Sequence, residues 1–258
     1  MSPVRAAHDA VLPLTRIPVA ELAPDVVVVG DPERARAVGS RLEGTREIAR
    51  NREYLSLTGS YRGRPVTVVS HGVGGPGAGV AFEELCRGGA RRIVRAGTAG
   101  GLRPDVTDGC VVVATAAVRE DGLTDLLVPT GFPAVADPGL TIALEDAARA
   151  AGVGADRLRR GVVYSNAAFY PHDVLGPRLE LWQRAGCVAV EMEAAALFVV
   201  AALHGVAAGC VLAVDGNPLA ADDTSMEGYD PFRDIVREAV DAAVTAALEA
   251  VTAPVAAG

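Results

Sequence analysis

The stretch VVVVGDPERAR, residues 26–36, decides the fold class. Its four valines form a wholly apolar run, which is typical of a β-strand buried on both faces. The run stops at Gly30-Asp31-Pro32, and Pro32 suits the first turn of a helix, which we predict over residues 33–42. A buried strand that turns directly into a helix is the repeating unit of α/β folds.

The same alternation of strands and helices continues along the chain. Further strands are predicted at 54–58, 66–70, 93–96, 110–114, 161–165, 188–190 and 208–214, and helices at 78–87, 141–151, 194–204 and 231–250. We therefore predict an α/β fold in a single domain, residues 1–258, with helices covering both faces of the sheet. Residues 1–24 are expected to form an irregular N-terminal arm, and residues 251–258 a frayed tail. Ligands of such folds bind beyond the carboxyl ends of the strands.

Composition limits the class of protein. Half of the 258 residues are hydrophobic, and the formal net charge of −8 argues against a nucleic-acid partner, which requires a basic face. We find no signal peptide and no uninterrupted apolar run that would cross a bilayer. The four cysteines show neither a CxxC pair nor metal-ligand spacing. We therefore expect free thiols, no metal site, no membrane partner and a cytoplasmic location.

Three arginines in glycine-rich or turn sequences indicate an anion site. They are Arg34 in GDPER, Arg52 in NREY and Arg95 in RAGTAGG. A guanidinium group can bind two oxygens of a phosphate-sized anion at once, through two parallel N–H···O hydrogen bonds. Alternatively, Arg34 is a solvated residue at the start of a helix.

Glycines beside these arginines would complete the anion site. Gly30 ends the first strand, and Gly97 and Thr98 follow Arg95 in a segment that we expect to be a loop. Bare backbone N–H groups and a hydroxyl at a strand end add donors to an anion site. The run over residues 71–79 is also glycine-rich, but it does not match GxGxxG, so it does not indicate a dinucleotide site.

Carboxylates in apolar surroundings indicate a second part of the site. Glu191 and Glu193 flank Met192 at a predicted strand-to-helix junction, where the hydroxyls of a sugar would supply the donors they need. The alternative is a helix N-cap with one buried hydrogen bond. Asp215 ends another apolar strand, where burial would favour its protonated form and let it act as an acid. Alternatively, Asp215 is a turn residue that precedes Gly216.

Aromatic residues are scarce, so Phe169 and Tyr170 are candidates to stack on a planar base; the alternative is that they are core residues. His71 and His204 are interpreted as structural. Cations for an anion, carboxylates for a polyhydroxylated ring, an aromatic for a base and an acid near the leaving group together fit one reaction. That reaction is cleavage of an N-glycosidic bond with phosphate as the nucleophile.

As a set, the motifs resemble the nucleoside phosphorylase family, which includes the hexameric purine nucleoside phosphorylases and the uridine phosphorylases. The resemblance covers essentially the whole chain, and the combination of NREY, SHGVG, FEELC, VRED and VDGNP is most similar to the apicomplexan-type purine nucleoside phosphorylases. The motifs are GDPERAR (30–36), NREY (51–54), SHGVGGPG (70–77), FEEL (82–85), RAGTAGGL (95–102), VRED (118–121), FPAVAD (132–137), SNAAFYP (165–171), VEMEAAALF (190–198) and VDGNP (214–218).

The resemblance implies a mixed central sheet flanked by helices and a homo-oligomer, a hexamer built as a trimer of dimers. It implies that Arg52 reaches the phosphate of a neighbouring subunit, so that sites are shared across a dimer. The residues that it assigns to phosphate are Gly30, Arg34, Arg95 and Thr98.

The resemblance assigns the nucleoside to a second group of residues. Met192 and Glu193 would hold the ribose hydroxyls, with Glu191 beside them. Phe169 would stack near the base, Val190 would line its pocket, and Asp215 would lie at purine N7.

The implied reaction is phosphorolysis of purine (deoxy)ribonucleosides to the free base and (deoxy)ribose 1-phosphate. Asp215, Arg95 and Glu193 would carry the catalysis. No metal or organic cofactor is implied, because inorganic phosphate is a co-substrate. A uridine or pyrimidine phosphorylase, a phosphorylase of 5′-modified nucleosides, a nucleosidase and a non-catalytic nucleoside-binding protein remain as alternatives.

Two departures from the family pattern bear on specificity. Uridine phosphorylases carry a Gln and an Arg that read uracil, and those places fall near Asp173 and Leu175 here, which disfavours uracil. Family members also lend an N-terminal histidine to the neighbour's 5′-hydroxyl. Pro13 aligns at that place, and His8 would serve only if the arm were longer, so a 5′-modified nucleoside would be permitted.

Overall fold

The chain folds into the predicted α/β architecture. A computed structural model describes residues 5–170, 172–220, 230 and 232–254. Strands in the described part are β1 Asp25–Val29, β2 Glu43–Asn51, β3 Tyr54–Tyr61, β4 Arg64–Ser70, β5 Arg92–Gly101, β6 Val111–Glu120, β7 Ala134–Val135, β8 Leu158–Asn166, β9 Ala189–Glu191 and β10 Ala207–Gly216. Its helices are α1 Pro32–Gly39, α2 Gly75–Gly88, α3 Thr124–Leu127, α4 Pro138–Ala150, α5 Arg178–Arg184, α6 Ala194–His204 and α7 Asp234–Thr252, with 3₁₀ turns at Val19–Glu21 and Asp173–Leu175.

The first strand and helix form for the reasons that the sequence suggests. All four valines of β1 are fully buried. Asp31 caps α1, because its carboxylate accepts a hydrogen bond of 2.8 Å from the backbone N–H of Arg34, and Pro32 occupies the first helical position. The helix ends at Gly39, three residues before the predicted end.

The sheet is mixed, and five of its strands close into a ring. β5 pairs with β10, β10 with β6, β6 with β8, β8 with β9, and β9 returns to β5. The β10–β6 and β5–β9 pairings are antiparallel and the other three are parallel. Outside the ring, β1 and β4 continue the sheet in parallel, and β3 and β2 continue it in antiparallel. The mixed α/β sheet is confirmed, whereas the ring closure was not foreseen.

Along one edge of β5 the neighbouring strands leave a gap in the sheet, and this gap provides space for a ligand. β10 follows one edge of β5 from Arg92 to Gly100. On the other edge, β1 pairs only as far as Arg95, and β9 pairs only at Gly100 and Gly101. Residues 96–99 therefore face a gap between the end of β1 and the end of β9. Ligands of α/β proteins bind at such points of divergence.

Two hydrophobic layers hold helices against the sheet. On one face, Phe82 and Leu85 of α2 and Leu197 of α6 pack against Val26 and Val28 of β1 and their neighbours. On the other face, α1, α4 and α7 cover the alternate valines, Val27 and Val29 among them. Across the described residues, none of the helices combines the length and apolar character needed to span a bilayer.

The terminal segments are better ordered than the sequence suggests. In the predicted arm, Leu12 and Ile17 are buried, and the buried Glu84 of α2 accepts hydrogen bonds from the backbone N–H groups of Leu14 and Thr15. Helix α7 extends through Thr252, two residues into the predicted tail. The division into a single domain stays a prediction.

Several elements differ from the prediction. The glycine-rich segment after Arg95 is not a loop, because residues 96–101 continue strand β5 and pair with β10 and β9. Strand β2 was missed because its polar sequence, EGTREIARN, is mostly exposed. Helices α3 and α5 and the short strand β7 were missed as well.

Candidate active site

A cavity of about 400 Å³ opens at the carboxyl ends of β1, β5 and β10, where the sheet separates. Ten of the predicted site residues line it: Gly30, Arg34, Arg95, Thr98, Phe169, Val190, Glu191, Met192, Glu193 and Asp215. The sequence placed these residues on separate motifs, and the fold brings them around one space. The predicted residues outside this lining, as far as the described chain goes, are Gly97, Arg52 and the candidate aromatic Tyr170.

Arg95 lies at the centre of a buried network. Its Nε donates to Glu191 over 3.3 Å, and its Nη2 donates to Glu193 over 2.5 Å. Its Nη1 lies 3.1 Å from Nε2 of His71. All four side chains are buried, so the network holds one cation, two carboxylates and an imidazole away from bulk water.

Glu191 is fully engaged by the protein. It accepts hydrogen bonds from the hydroxyl of Ser165 and from the backbone N–H groups of Glu193 and Ala194, the second at 2.9 Å, in addition to its contact with Arg95. These amides belong to the start of α6. The N-cap alternative does not hold as stated, because the N-cap residue is Glu193, whose side chain makes no capping hydrogen bond, and Glu191 accepts several bonds from outside that position. Glu191 therefore orders the junction, and this use of its oxygens leaves it less able to bind a ligand.

Glu193 retains more capacity for a ligand. Its carboxylate accepts hydrogen bonds from the Arg95 guanidinium and from the backbone N–H of Gly74, at 2.6 Å. A carboxylate accepts about four hydrogen bonds, so lone pairs remain for donors in the cavity. Burial raises the pKa of Glu193, Arg95 opposes the rise, and the neighbouring Glu191 carboxylate adds to it.

The charges of the other two network members are set by the same surroundings. Burial alone would lower the pKa of Arg95, but the carboxylates of Glu193 and Glu191 raise it overall, so Arg95 is cationic. Burial and the positive charge of Arg95 hold the pKa of His71 well below its ordinary value. His71 is therefore neutral at physiological pH.

Two glycines act by leaving space, each in a different way. A Cβ atom on Gly97 would lie 2.7 Å from Cζ and Nη1 of Arg95, so the guanidinium crosses the strand where a side chain would otherwise stand. A Cβ on Gly30 would meet no atom within 4 Å, although Gly30 lines the cavity. Gly97 therefore makes room for Arg95, and Gly30 keeps space open at the cavity wall. Contact of either glycine with phosphate stays a prediction.

The remaining arginines differ in position. Arg34 lines the cavity, with its side chain 27% exposed and its Nε 3.8 Å from the Asp31 carboxylate. The side chain is half-buried at the edge of the cavity, and its role in binding an anion stays a prediction. Arg52 lies in the two-residue turn between β2 and β3 with φ of +54° and is exposed.

The other end of the cavity is more apolar. Phe169 is 55% exposed and lies edge-on to Tyr170, with ring centroids 4.9 Å apart, so the core interpretation of these aromatics is wrong. Val190, Leu179 of α5 and Pro218 line the wall. Asp215 is 7% exposed and lies within β10, so the turn interpretation is wrong as well.

Of the positions predicted to bear on specificity, those whose side chains the structure describes lie outside the cavity lining. Leu175 is 78% exposed, and the described part of the cavity wall does not include it. The side chain of Asp173 lies outside the described residues. His8 and Pro13 are exposed, and neither is among the residues described as lining the cavity.

Comparison with known proteins identifies the family. The sequence model of the Phosphorylase superfamily matches residues 24–251 of this chain. The chain belongs to the phosphorylase superfamily. This phosphorylase is similar to the purine nucleoside phosphorylase of Plasmodium falciparum, with 38% identity over 216 residues, which cover 83% of this chain and 87% of that protein.

The relatives include uridine phosphorylases as well as purine nucleoside phosphorylases. The uridine phosphorylase of Treponema pallidum is 38% identical over 201 residues, covering 74% of this phosphorylase and 77% of the relative. The solved structure of Toxoplasma gondii purine nucleoside phosphorylase, in complex with immucillin-H, superposes with a TM-score of 0.87 at 36% identity. It covers 96% of this chain and 97% of that one.

Sequence reasoning missed three participants in this phosphorylase site. They are His71, which was interpreted as only structural, Ser165, which holds Glu191, and the backbone of Gly74, which holds Glu193. His71 and Gly74 both lie in SHGVGGPG, so a histidine inside a glycine-rich segment was the available signal. Among the described side chains, no group of three or more His, Cys, Asp or Glu residues is arranged to hold a metal ion.

Proposed function

We propose that this phosphorylase cleaves purine nucleosides with inorganic phosphate, giving the free base and (deoxy)ribose 1-phosphate. The observation that supports this proposal most is the arrangement of charged, polar and aromatic side chains around one cavity. Arginines and a threonine stand near the gap in the sheet, a carboxylate with free lone pairs stands beside them, and an acid and an aromatic ring complete the wall. Relatives named purine nucleoside phosphorylase support the same reaction.

Phosphate would bind at the gap beside residues 96–99. Arg95 uses three of its five N–H groups on protein acceptors, so two remain for phosphate oxygens. Arg34 and the hydroxyl of Thr98 would add donors, and the open space beside Gly30 would admit an oxygen. Paired N–H groups of a guanidinium match an oxyanion well.

The nucleoside would lie along the rest of the cavity. Glu193 would accept hydrogen bonds from the ribose hydroxyls, with Met192 against the sugar. Phe169 and Val190 would contact the base, and Asp215 would face N7 of a purine. The cavity volume of about 400 Å³ suits a ligand of this size.

The chemical step follows from these positions. The bond between C1′ and N9 breaks and its electron pair passes to the purine, while the Asp215 carboxyl gives its proton to N7. A phosphate oxygen then forms the new bond to C1′. Positioning and one hydrogen bond to developing charge each lower the barrier, the second by about 3 kcal/mol. No metal or organic cofactor takes part in this proposal.

The proposed assembly is a hexamer built as a trimer of dimers, in which Arg52 completes the phosphate site of a neighbour. Its exposed position away from its own cavity is consistent with this role. Mixing Arg52→Ala with Asp215→Ala chains tests it, because a mixed dimer contains one site with both native residues. Recovered activity in the mixture supports sharing, and two inactive parents that stay inactive when mixed contradict it. We also propose a cytoplasmic location, which suits four buried free thiols.

The second candidate is uridine phosphorolysis, which the Treponema pallidum relative favours. Purified protein should be given inosine and uridine, each with and without phosphate. The proposal expects hypoxanthine only with phosphate and little change in uridine. Uridine cleavage would favour the second candidate, and cleavage without phosphate would indicate a nucleosidase.

A further inference from the structure

His71 is held in one orientation by contacts on both ring nitrogens. Its Nδ1 lies 2.8 Å from the carbonyl oxygen of Gly72, and its Nε2 lies 3.1 Å from Nη1 of Arg95. A carbonyl oxygen only accepts and a guanidinium only donates. The proton of the neutral ring is therefore on Nδ1, and Nε2 accepts from Arg95.

The backbone around His71 fixes this arrangement. The N–H of His71 donates to the carbonyl of Val29 at the end of β1, over 2.9 Å. Gly72 has φ of +78°, and a Cβ there would lie 2.8 Å from the Glu53 side chain, so no other residue suits the position that supplies the accepting carbonyl. The His71 ring also lies edge-on to Phe82, with centroids 5.3 Å apart.

The choice of a neutral acceptor has an electrostatic consequence. Arg95 already contacts two buried carboxylates, so the three groups carry a formal charge of −1. A third carboxylate would hold the guanidinium equally well, but it would repel an incoming phosphate. An uncharged imidazole holds Nη1, the third nitrogen of the guanidinium, without adding negative charge.

We infer that His71 is a positioning residue for phosphate: it holds Nη1 of Arg95 so that one N–H on each terminal nitrogen is presented to the anion. This inference rests on the proposed function for the identity of the anion. Gly97 contributes to the same placement, because its missing side chain lets the guanidinium lie across the strand.

The test compares His71→Gln with His71→Asn. The Gln amide reaches the position of Nε2 and can accept from Arg95, whereas the shorter Asn reaches only the position of Nδ1. We expect Asn to weaken binding of inorganic phosphate, measured by calorimetry, by roughly ten- to a hundred-fold, the range for one hydrogen bond to a charged group. Gln should restore most of the affinity, and KM for inosine should change less than about threefold in both.

The control is His204→Asn. His204 is a half-buried histidine at the end of helix α6, 2.9 Å from Glu83 and outside the cavity lining. It should leave the affinity for phosphate unchanged. Equal phosphate affinity in His71→Asn and wild type would overturn the inference, as would equal losses for phosphate and inosine.

Two further results keep the outcomes distinguishable. Calorimetry needs no turnover, so phosphate binding that depends on His71 in a protein inactive on nucleosides would sustain the inference and sink the proposed function. Should His71→Asn not fold, nitrogen NMR of wild type decides, since the chain has only four histidines. The inference expects a buried ring protonated on Nδ1, and a ring protonated on Nε2 would overturn it.

Discussion

Two arginine clusters on strand β5 differ in their surroundings although the two arginines are only three residues apart. At the amino end, Arg92 donates through Nε and Nη2 to both oxygens of the buried Asp25, at 2.8 and 2.7 Å, and through Nη1 to the carbonyl of Ala253. Further along the strand, Arg95 donates to three separate side chains. Each arginine uses three N–H groups, so the number of hydrogen bonds does not distinguish them.

The two clusters differ in the sign of their excess charge and in what each arginine faces. Arg92 and the more exposed Arg64 surround one carboxylate, and the pair fastens the end of α7 to the sheet. Arg95 is shared by two carboxylates and borders a cavity. An ion pair whose partners are engaged only by the protein contributes to the fold, whereas a buried charged cluster that borders a cavity is suited to binding a ligand.

The largest expected effect comes from exchanging each arginine for lysine. Arg95→Lys keeps the charge but removes the planar set of donors, so kcat/KM for phosphate should fall by roughly 10²–10³-fold. Arg92→Lys should lower Tm and leave kcat/KM within about twofold. Steady-state kinetics on inosine with varied phosphate, beside thermal unfolding, measures both. Similar losses of activity in the two variants would remove the distinction between the clusters.

Glu193→Gln should leave Arg95 paired with a single carboxylate, that of Glu191. We expect kcat/KM for the nucleoside to fall by roughly 10²-fold, because a charged acceptor for the sugar is lost. By contrast, the Tm of the Gln variant should be higher than that of wild type. The raised pKa of Glu193 means that wild type loses stability as pH rises through that pKa, and the Gln variant does not.

The Tm advantage of Glu193→Gln should therefore grow from acidic to alkaline pH. Melting curves of both proteins, recorded about every pH unit between about pH 5 and 9, measure this difference in Tm. An advantage that shrinks as pH rises would show that Glu193 is stabilised in its ionised form.

Asp25→Asn should break the Arg92–Asp25 ion pair without changing the residues proposed for catalysis. Removing one partner of a buried ion pair costs about 3 kcal/mol, because Arg92 is left with an uncharged partner. We expect a lower free energy of unfolding in urea and kcat/KM within about twofold of wild type. A large loss of activity at unchanged stability would contradict the structural assignment of this pair.

The smallest effects are expected at the glycines. Gly30→Ala should leave Tm unchanged, since its Cβ meets no protein atom within 4 Å, but it should weaken phosphate binding by about tenfold. Gly97→Ala should lower both Tm and phosphate affinity, because it displaces Arg95. Calorimetry measures phosphate affinity and thermal unfolding measures Tm, so together they separate the two cases. Unchanged phosphate binding in both variants would argue against an anion site beside Gly30 and Gly97.

Local sequence predicted the elements whose burial pattern decides their structure. The valines of β1, the Asp31-Pro32 helix start and the apolar β10 are of this kind. The glycine-rich run after Arg95 was misinterpreted as a loop because β-propensity is low there, while pairing with β10 and β9 holds it as strand. Tertiary contacts decided its structure.

The candidate site was predictable as a set of residue types but not as a geometry. Arg34, Arg95, Glu193 and Asp215 were identified from sequence, and the structure places all four on one cavity. The sequence could not show that Ser165 holds Glu191 or that His71 contacts Arg95, because those partners lie on different strands and loops. The ring of five strands is likewise a product of pairings between distant segments.

The central claim is that Arg95, and not its neighbour Arg92, belongs to a phosphate site. Titrating inorganic phosphate into wild type, Arg92→Lys and Arg95→Lys by calorimetry tests it most directly. The account predicts the same affinity for wild type and Arg92→Lys, and binding weakened at least roughly tenfold in Arg95→Lys. Equal affinity in all three proteins would contradict it.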